Sequence, residues 1–353
     1  MSVASTDTGP AGAPPPAPGP STQAAPGRKF NPFKRLLLLK EGSIIVVTVA
    51  TLIYFAITTP HFFSSQGLQN LLPFFAPFAI LAAGEVFVMI NGEIDLSIGG
   101  TYLICPFIFN EFTSAHIPLI PAMILAILVC TLVGVINGFF IAYIGINSFV
   151  TTLGTLFSLF GITLLMSHDT QITAPGTTLF GGGTFQSVFG GGTYSELFWA
   201  LGIVIILQVA LSFTKWGIYT VAVGGNRLGA KEAGISEKRN IMRNFMLCAA
   251  LGAFVGILEA TRSGSATPDP AQASELLFQV VAAAVIGGTL LVGGFGTVIG
   301  AMIGALFLGI VQDGLVLKGV NANYIYLYQG LAILLAMSIN IYIARVRVGA
   351  GRG

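Results

Sequence analysis

The chain has 353 residues, 54% of them apolar and only 8% charged, with a net charge of +2 and a mean hydropathy of +0.85. Soluble domains are about 25% charged, so the totals exclude a large soluble domain and describe an all-α, polytopic transmembrane helical bundle. The three cysteines, Cys105, Cys130 and Cys248, lie in apolar runs without metal-ligand spacing and read as small core residues.

Residues 1–27 are rich in Pro, Ala, Gly, Ser and Thr, a composition that cannot bury enough apolar surface to fold. With no basic region leading into an apolar run, the stretch is not a signal peptide. Arg28, Lys29, Lys34, Arg35 and Lys40 follow, so residues 1–40 are expected to be a disordered cytoplasmic tail with a basic flank. Ten spans of about 20 residues fit after it, near 42–59, 70–91, 95–113, 119–143, 148–167, 196–214, 243–261, 275–292, 296–316 and 324–343. The third is interrupted by Pro106 and by the glycines at its start. Residues 41–344 then form the transmembrane domain, and 345–353 a second cytoplasmic tail. With ten spans and the N-terminus inside, 14 of the 16 Lys and Arg residues fall on the cytoplasmic side, leaving only Arg262 and Lys318 outside. That bias supports an even number of spans.

Two loops are long. The outer one, 168–195, carries Gly181-Gly182-Gly183 and Gly190-Gly191-Gly192 and reads as flexible. The inner one, 215–243, contains Gly224-Gly225-Asn226, then Lys231-Glu232 and Gly234-Ile235: a turn, a short charged helix and a glycine stop. A helix bounded by glycines is more than a topology signal requires, and it suggests docking of a cytoplasmic partner.

Residues 91–100 read Asn-Gly-Glu-Ile-Asp-Leu-Ser-Ile-Gly-Gly. Lipid tolerates such backbone only where protein or a water-filled cavity surrounds it. The carboxylates assigned to spans are Glu85, Asp95, Glu259 and Asp313. Asp95 reads as a cap accepting from free N–H groups of the following helix, with contact to transported solute as the alternative. Glu85 lies deeper, with no basic residue in its span. Glycines recurring every fourth residue (Gly134 and Gly138; Gly252 and Gly256; Gly296, Gly300 and Gly304) give small faces for close helix approach. Gly92–Gly99 and Gly293–Gly300 share a spacing, read here as coincidence. No GxxxxGK[ST] occurs, so the chain has no P-loop. His61, His116 and His168 stand apart from acidic or Cys clusters, and no metal or catalytic site is expected.

Three stretches, in order, carry a resemblance: Gly92-Glu93-Ile94-Asp95-Leu96-Ser97-Ile98-Gly99; Gly224-Gly225-Asn226 through Gly234-Ile235; and Ile286-Gly287-Gly288-Thr289 through Gly293-Gly294-Phe295-Gly296 to Gly300. Thr59-Pro60-His61-Phe62-Phe63, Asn137-Gly138 and Thr152-Leu153-Gly154 fit the same pattern. Together they resemble the permease subunits of bacterial sugar ABC importers, the ribose, xylose and autoinducer-2 permease family, over residues 42–343. The resemblance implies a multi-pass cell-membrane protein that is not an enzyme and holds no cofactor. It implies cytoplasmic ATP-binding subunits that hydrolyse ATP, an extracytoplasmic solute-binding protein, a second permease copy as a homodimer, and no nucleic acid. The segment Gly224 to Ile235 matches the family's ATPase-coupling segment. Gly92, Asp95, Ser97, Gly99, Asn137, Gly287, Gly288, Thr289, Gly294 and Gly296 are expected in the family motif or translocation path.

The chain departs from the pattern at Asn147, where many members have proline, at Phe160, where many have arginine, and at Glu85, where a neutral residue is usual. These positions are expected to flank the path. The alternatives are a proton- or cation-coupled secondary transporter using Glu85 and Asp95, and a branched-chain amino-acid ABC permease.

Overall fold

The computed structural model describes residues 41–177, 183–192 and 194–350, the side chains of 340 and 342–350 excepted. The N-terminal tail, Gly181, Gly182 and residues 351–353 lie outside the described residues.

Helix α1 spans Gly42–Thr58, α2 Ser65–Leu71, α3 Ala76–Ile90, α4 Ile98–Ser114, α5 Leu119–Phe139 and α6 Ser148–Ser167. After strand β1, Ile172–Thr173, come α7, Ser195–Phe213; α8, Lys215–Gly225; α9, Arg227–Glu232; and α10, Glu237–Ser263. Strand β2, Ser265–Ala266, is followed by α11, Pro270–Ile286; α12, Val298–Leu317; and α13, Ala322–Ala350. Seven helical segments are long and apolar enough to cross a membrane, and α1 and α11 are shorter apolar helices of 17 residues. Each of the ten expected spans overlaps a helix, though 275–292 runs past the end of α11 at Ile286.

Helix α3 is the centre of the bundle. All fifteen of its residues are buried, as a helix apolar on every side must be, and it packs against α7, α10, α11 and α12. Glycine faces draw the neighbours together. A methyl group at Gly134 or Gly138 of α5 would strike the α10 backbone at Phe245 or Met242. Gly252 and Gly256 do the same for α10 against Ile98 and Tyr102 of α4. Pro106 has no N–H for the Tyr102 carbonyl one turn earlier, and the smallest residue, Gly256, faces that oxygen. The helix runs through Pro106 without a break, contrary to the interrupted span expected.

Three further expectations are corrected. The glycine run 287–297 is not helical: α11 stops at Ile286, α12 starts after the N-cap Thr297, and Gly288, Gly293 and Gly294 take positive φ. Gly296 therefore belongs to this loop and not to the glycine face of α12. The outer loop is folded over its described part. Phe189 stacks on Trp199 at 5.5 Å, the indole N–H donates to the Val188 carbonyl at 2.8 Å, and β1 pairs antiparallel with β2. Asn147, in place of proline, caps α6 by accepting from Phe149 N–H at 3.0 Å, while Phe160 is core at 6% exposure. Neither lines a cavity described below.

Candidate functional site

The end of the bundle carrying α9 is organised by the C-terminus of α3. A buried helix end has carbonyls that water cannot reach, and here other elements supply the donors. Asn91 turns its own N–H to Val88, and the Phe87 carbonyl accepts from Asn244 Nδ2 of α10 at 2.9 Å. The Ile90 carbonyl accepts from Gly294 N–H at 2.8 Å, and the Asn91 carbonyl from the Arg227 guanidinium at 2.9 Å. Arg227 also pairs with Glu93, and with Glu237 at 3.2 Å. The side chains continue the network. Asn244 Nδ2 donates to Asn91 Oδ1 at 2.6 Å, Trp216 Nε1 to Asn244 Oδ1 at 2.7 Å, and Asn91 Nδ2 to the Thr220 carbonyl at 3.0 Å. Helix α8 approaches so closely that a methyl group at Gly224 would meet the Ile90 carbonyl.

Helix α9 projects from this root. Asn226 is its N-cap, accepting from Gly229 N–H at 3.0 Å, and Gly234 at φ +81° ends it. Gly225, Asn226, Lys231, Glu232 and Gly234 are exposed, and Gly224 and Ile235 are half-buried. The expected sequence of turn, charged helix and glycine stop is thus present. The turn, however, is the last turn of α8.

A second buried chain crosses the bundle beside it. Cys248 Sγ donates to Glu85 Oε2 at 3.3 Å, and Asp95 N–H to Glu85 Oε1 at 3.1 Å. Asp95 Oδ1 accepts from Ser97 Oγ at 2.6 Å and Ser97 N–H at 2.9 Å. Asn137 Nδ2 donates to Ser97 Oγ, and Thr155 Oγ1 to Asn137 Oδ1, each at 2.7 Å. Glu85, Asp95, Ser97 and Asn137 are all 0% exposed. Asp95 therefore bonds the N-cap residue Ser97 and not the free N–H groups of α4, a correction to the cap expected. Gly99 packs on Ala273 and Leu277 of α11, and Gly287 on Gly300 of α12. Gly92 packs on the Val292–Gly293 backbone, Gly294 on Gly224 and Gly225 of α8, and Gly296 on Thr289 and Ile90, with Gly288 in a positive-φ turn and Thr289 buried. None of the ten expected path residues lines a cavity described here.

The cavities open at the opposite end, where α10 ends after a run of roughly 40 Å from the α9 end at 1.5 Å per residue. A cavity of about 170 Å³ lies beside β2, and one of about 340 Å³ lies between α3, α11, α12 and α13. They share Tyr102, Glu259, Arg262 and Gln272 as lining. Arg262 donates to Glu259 Oε2 at 2.6 and 3.1 Å and pairs with Glu196 at 3.1 Å. In the larger cavity Glu275 accepts from Gln279 at 3.1 Å and from Tyr326 at 2.9 Å. Among the described residues no group of His, Cys, Asp and Glu has the arrangement of a metal site.

Residues 67–337 match the family described as "Branched-chain amino acid transport system / permease component". The chain belongs to this permease family. Similar proteins include the xylose/arabinose import permease protein XylH of Sulfolobus acidocaldarius, 33% identical over 315 residues and 86% of each chain. The ribose import permease protein RbsC of Escherichia coli (strain K12) is 30% identical over 324 residues, 91% of this chain and 98% of that one. The galactose/methyl galactoside import permease protein MglC of the same strain is 31% identical over 329 residues, 88% and 97% of the two chains. No solved structure matches the chain.

The permease is a multi-pass membrane subunit of the ATP-binding-cassette type and not itself an enzyme; ATP is hydrolysed by partner subunits. Sequence reasoning found its exposed segment around α9 and missed two things. One is the Asn91–Thr220–Asn244 network. The other is the cavity wall of Tyr102, Glu259, Arg262 and Gln272. The signal for the second was Arg262, one of two cations that the charge count leaves away from the cytoplasmic side.

Proposed function

We propose that the permease imports a sugar or similar polyhydroxylated solute by alternating access, driven by ATPase subunits that dock on the segment Gly224 to Ile235. Ten spans place both termini in the cytoplasm, a second permease copy completes the translocation path, and an extracytoplasmic binding protein delivers solute. The observation that carries the reading is the rooting of α9. An exposed charged helix is joined, through Arg227 and Asn91, to the fully buried central helix α3. A push on α9 therefore reaches the middle of the bundle without passing through lipid.

The sugar relatives and the hydrogen-bonding cavity favour a polyol over the branched-chain amino acids of the family's description, whose alkyl side chains call for an apolar pocket. Glu85 and Asp95 are fully buried and line none of the cavities described above, which disfavours the secondary-transport reading. Gly234→Glu tests the docking. The position is open to solvent, so the substitution costs only about 1–2 kcal/mol of left-handed backbone strain and leaves insertion intact. ATP-driven uptake in proteoliposomes is expected to fall while membrane abundance holds; uptake at the parental rate would refute the docking.

A further inference from the structure

The cavity wall has a charge pattern that restricts what it can hold. Arg262 is the one cation among the lining residues of both cavities, and its guanidinium is already shared between Glu259 and Glu196. Those partners come from two directions: Glu259 one turn back on α10, and Glu196 from the first turn of α7, where its side chain is 5% exposed. Glu275 adds a third carboxylate across the larger cavity. Glu259 spends Oε2 on Arg262, and its Oε1 has no partner. That oxygen is buried, so Glu259 lends the wall its charge and not a reachable acceptor; the half-buried Glu275 is the carboxylate that a solute hydroxyl can meet. Gln272, Gln279 and the ring of Tyr102 supply the mixture of donors, acceptors and an apolar face that a polyol presents in return. The larger volume, about 340 Å³, lies within the roughly 300–1,000 Å³ of small-molecule sites.

We propose that this wall is the solute-contacting site of the permease and that it selects uncharged polyhydroxylated solutes against their carboxylate forms. Glu275, Gln272 and Gln279 exchange hydrogen bonds with solute hydroxyls, and Arg262 stays neutralised by Glu196 and Glu259. The two carboxylates that line the larger cavity, Glu259 and Glu275, repel an anion that an unpaired arginine at this place would attract. The proposal rests on the import reading above for the direction of entry, but its contacts are independent of how transport is powered.

The test uses the intact transporter in nanodiscs with one new thiol, Ser265→Cys, on the rim of the smaller cavity. The native cysteines are at most 1% exposed, so labelling by a membrane-impermeant maleimide reports this position. The probes are D-ribose, D-xylose and D-galactose with their aldonates. At least one sugar is expected to slow labelling roughly tenfold, the scale of one charge-assisted hydrogen bond, and its aldonate is expected not to. In the Glu196→Gln/Glu259→Gln background the preference should reverse, because Arg262 is then unpaired. Equal protection by a sugar and its aldonate, or none by any sugar, overturns the proposal even if the double variant fails to fold. ATP-driven uptake of a panel sugar without protection overturns this site and leaves the import reading standing. Protection without ATP-driven uptake of any panel sugar supports the site and overturns the import reading.

Discussion

Replacing Asn244 by leucine removes the junction between α3, α8 and α10 while roughly conserving volume. Three buried groups lose their partners: the Phe87 carbonyl, Asn91 Oδ1 and the Trp216 indole N–H, held at 2.9, 2.6 and 2.7 Å. At about 1 kcal/mol for each hydrogen bond the loss is about 3 kcal/mol. Interhelical bonds in membrane proteins average nearer 0.6 kcal/mol, because the unfolded state in the bilayer also finds partners, which brings the figure to about 2 kcal/mol. Thermal unfolding in detergent should show a midpoint lowered by roughly 4–8 °C, since 1 kcal/mol moves domains of 150–250 residues by about 2–4 °C. Asn240→Leu is the comparator. Its bonds to Thr220 Oγ1 and the Trp216 carbonyl are 3.2 and 3.5 Å long, and it should shift the midpoint by less than half as much. ATP-driven uptake per folded molecule should fall in Asn244→Leu and hold in Asn240→Leu. An unchanged midpoint for Asn244→Leu, or equal shifts for the two variants, would refute the claim that Asn244 ties α8 to α3.

Gly224→Val forces a side chain against the Ile90 carbonyl and should cost about 1–3 kcal/mol as overpacking. The readout is faster protease cleavage within 215–237, and wild-type cleavage kinetics would argue against the close approach of α8. Glu85→Gln retains an oxygen for the Asp95 N–H, so ATP-driven uptake should persist without dependence on a pH gradient. Uptake that follows the pH gradient and disappears in Glu85→Gln would instead establish proton coupling.

The bundle was legible because its signals are local. Apolar run length, the turn at Gly224-Gly225-Asn226 and the glycine stop at 234 each act within a few residues. The helix limits at Ile286 and Val298 were misread because residues 287–297 are as apolar as a span. Only the buried α3 terminus, which takes a donor from Gly294, explains why that run stays unwound. Asp95, Ser97 and Asn137 were placed in the motif or path by the family resemblance, which does not say what they touch. Asp95 Oδ1, Ser97 and Asn137 are hydrogen-bonded to one another across 40 residues of chain, a pairing that no periodicity shows, while Asp95 Oδ2 is buried without a partner. The Tyr102–Glu259–Arg262–Gln272 wall joins α4, α10 and the start of α11, and its members carry no common motif.

The 91–97 and 287–297 loops place Gly92 and Gly293 at φ +75° and +87°, and their backbones pack face to face. The shared glycine spacing, read from sequence as coincidence, therefore has a physical use. The seam is closed by main chain, including the Gly294 N–H on the Ile90 carbonyl, with no long side chain to change rotamer. A joint of that kind has one geometry and resists sliding. The hairpins α3–α4 and α11–α12 are thus tied by backbone at this end of the bundle, where a side chain added to Gly92 or Gly293 would meet the opposing main chain.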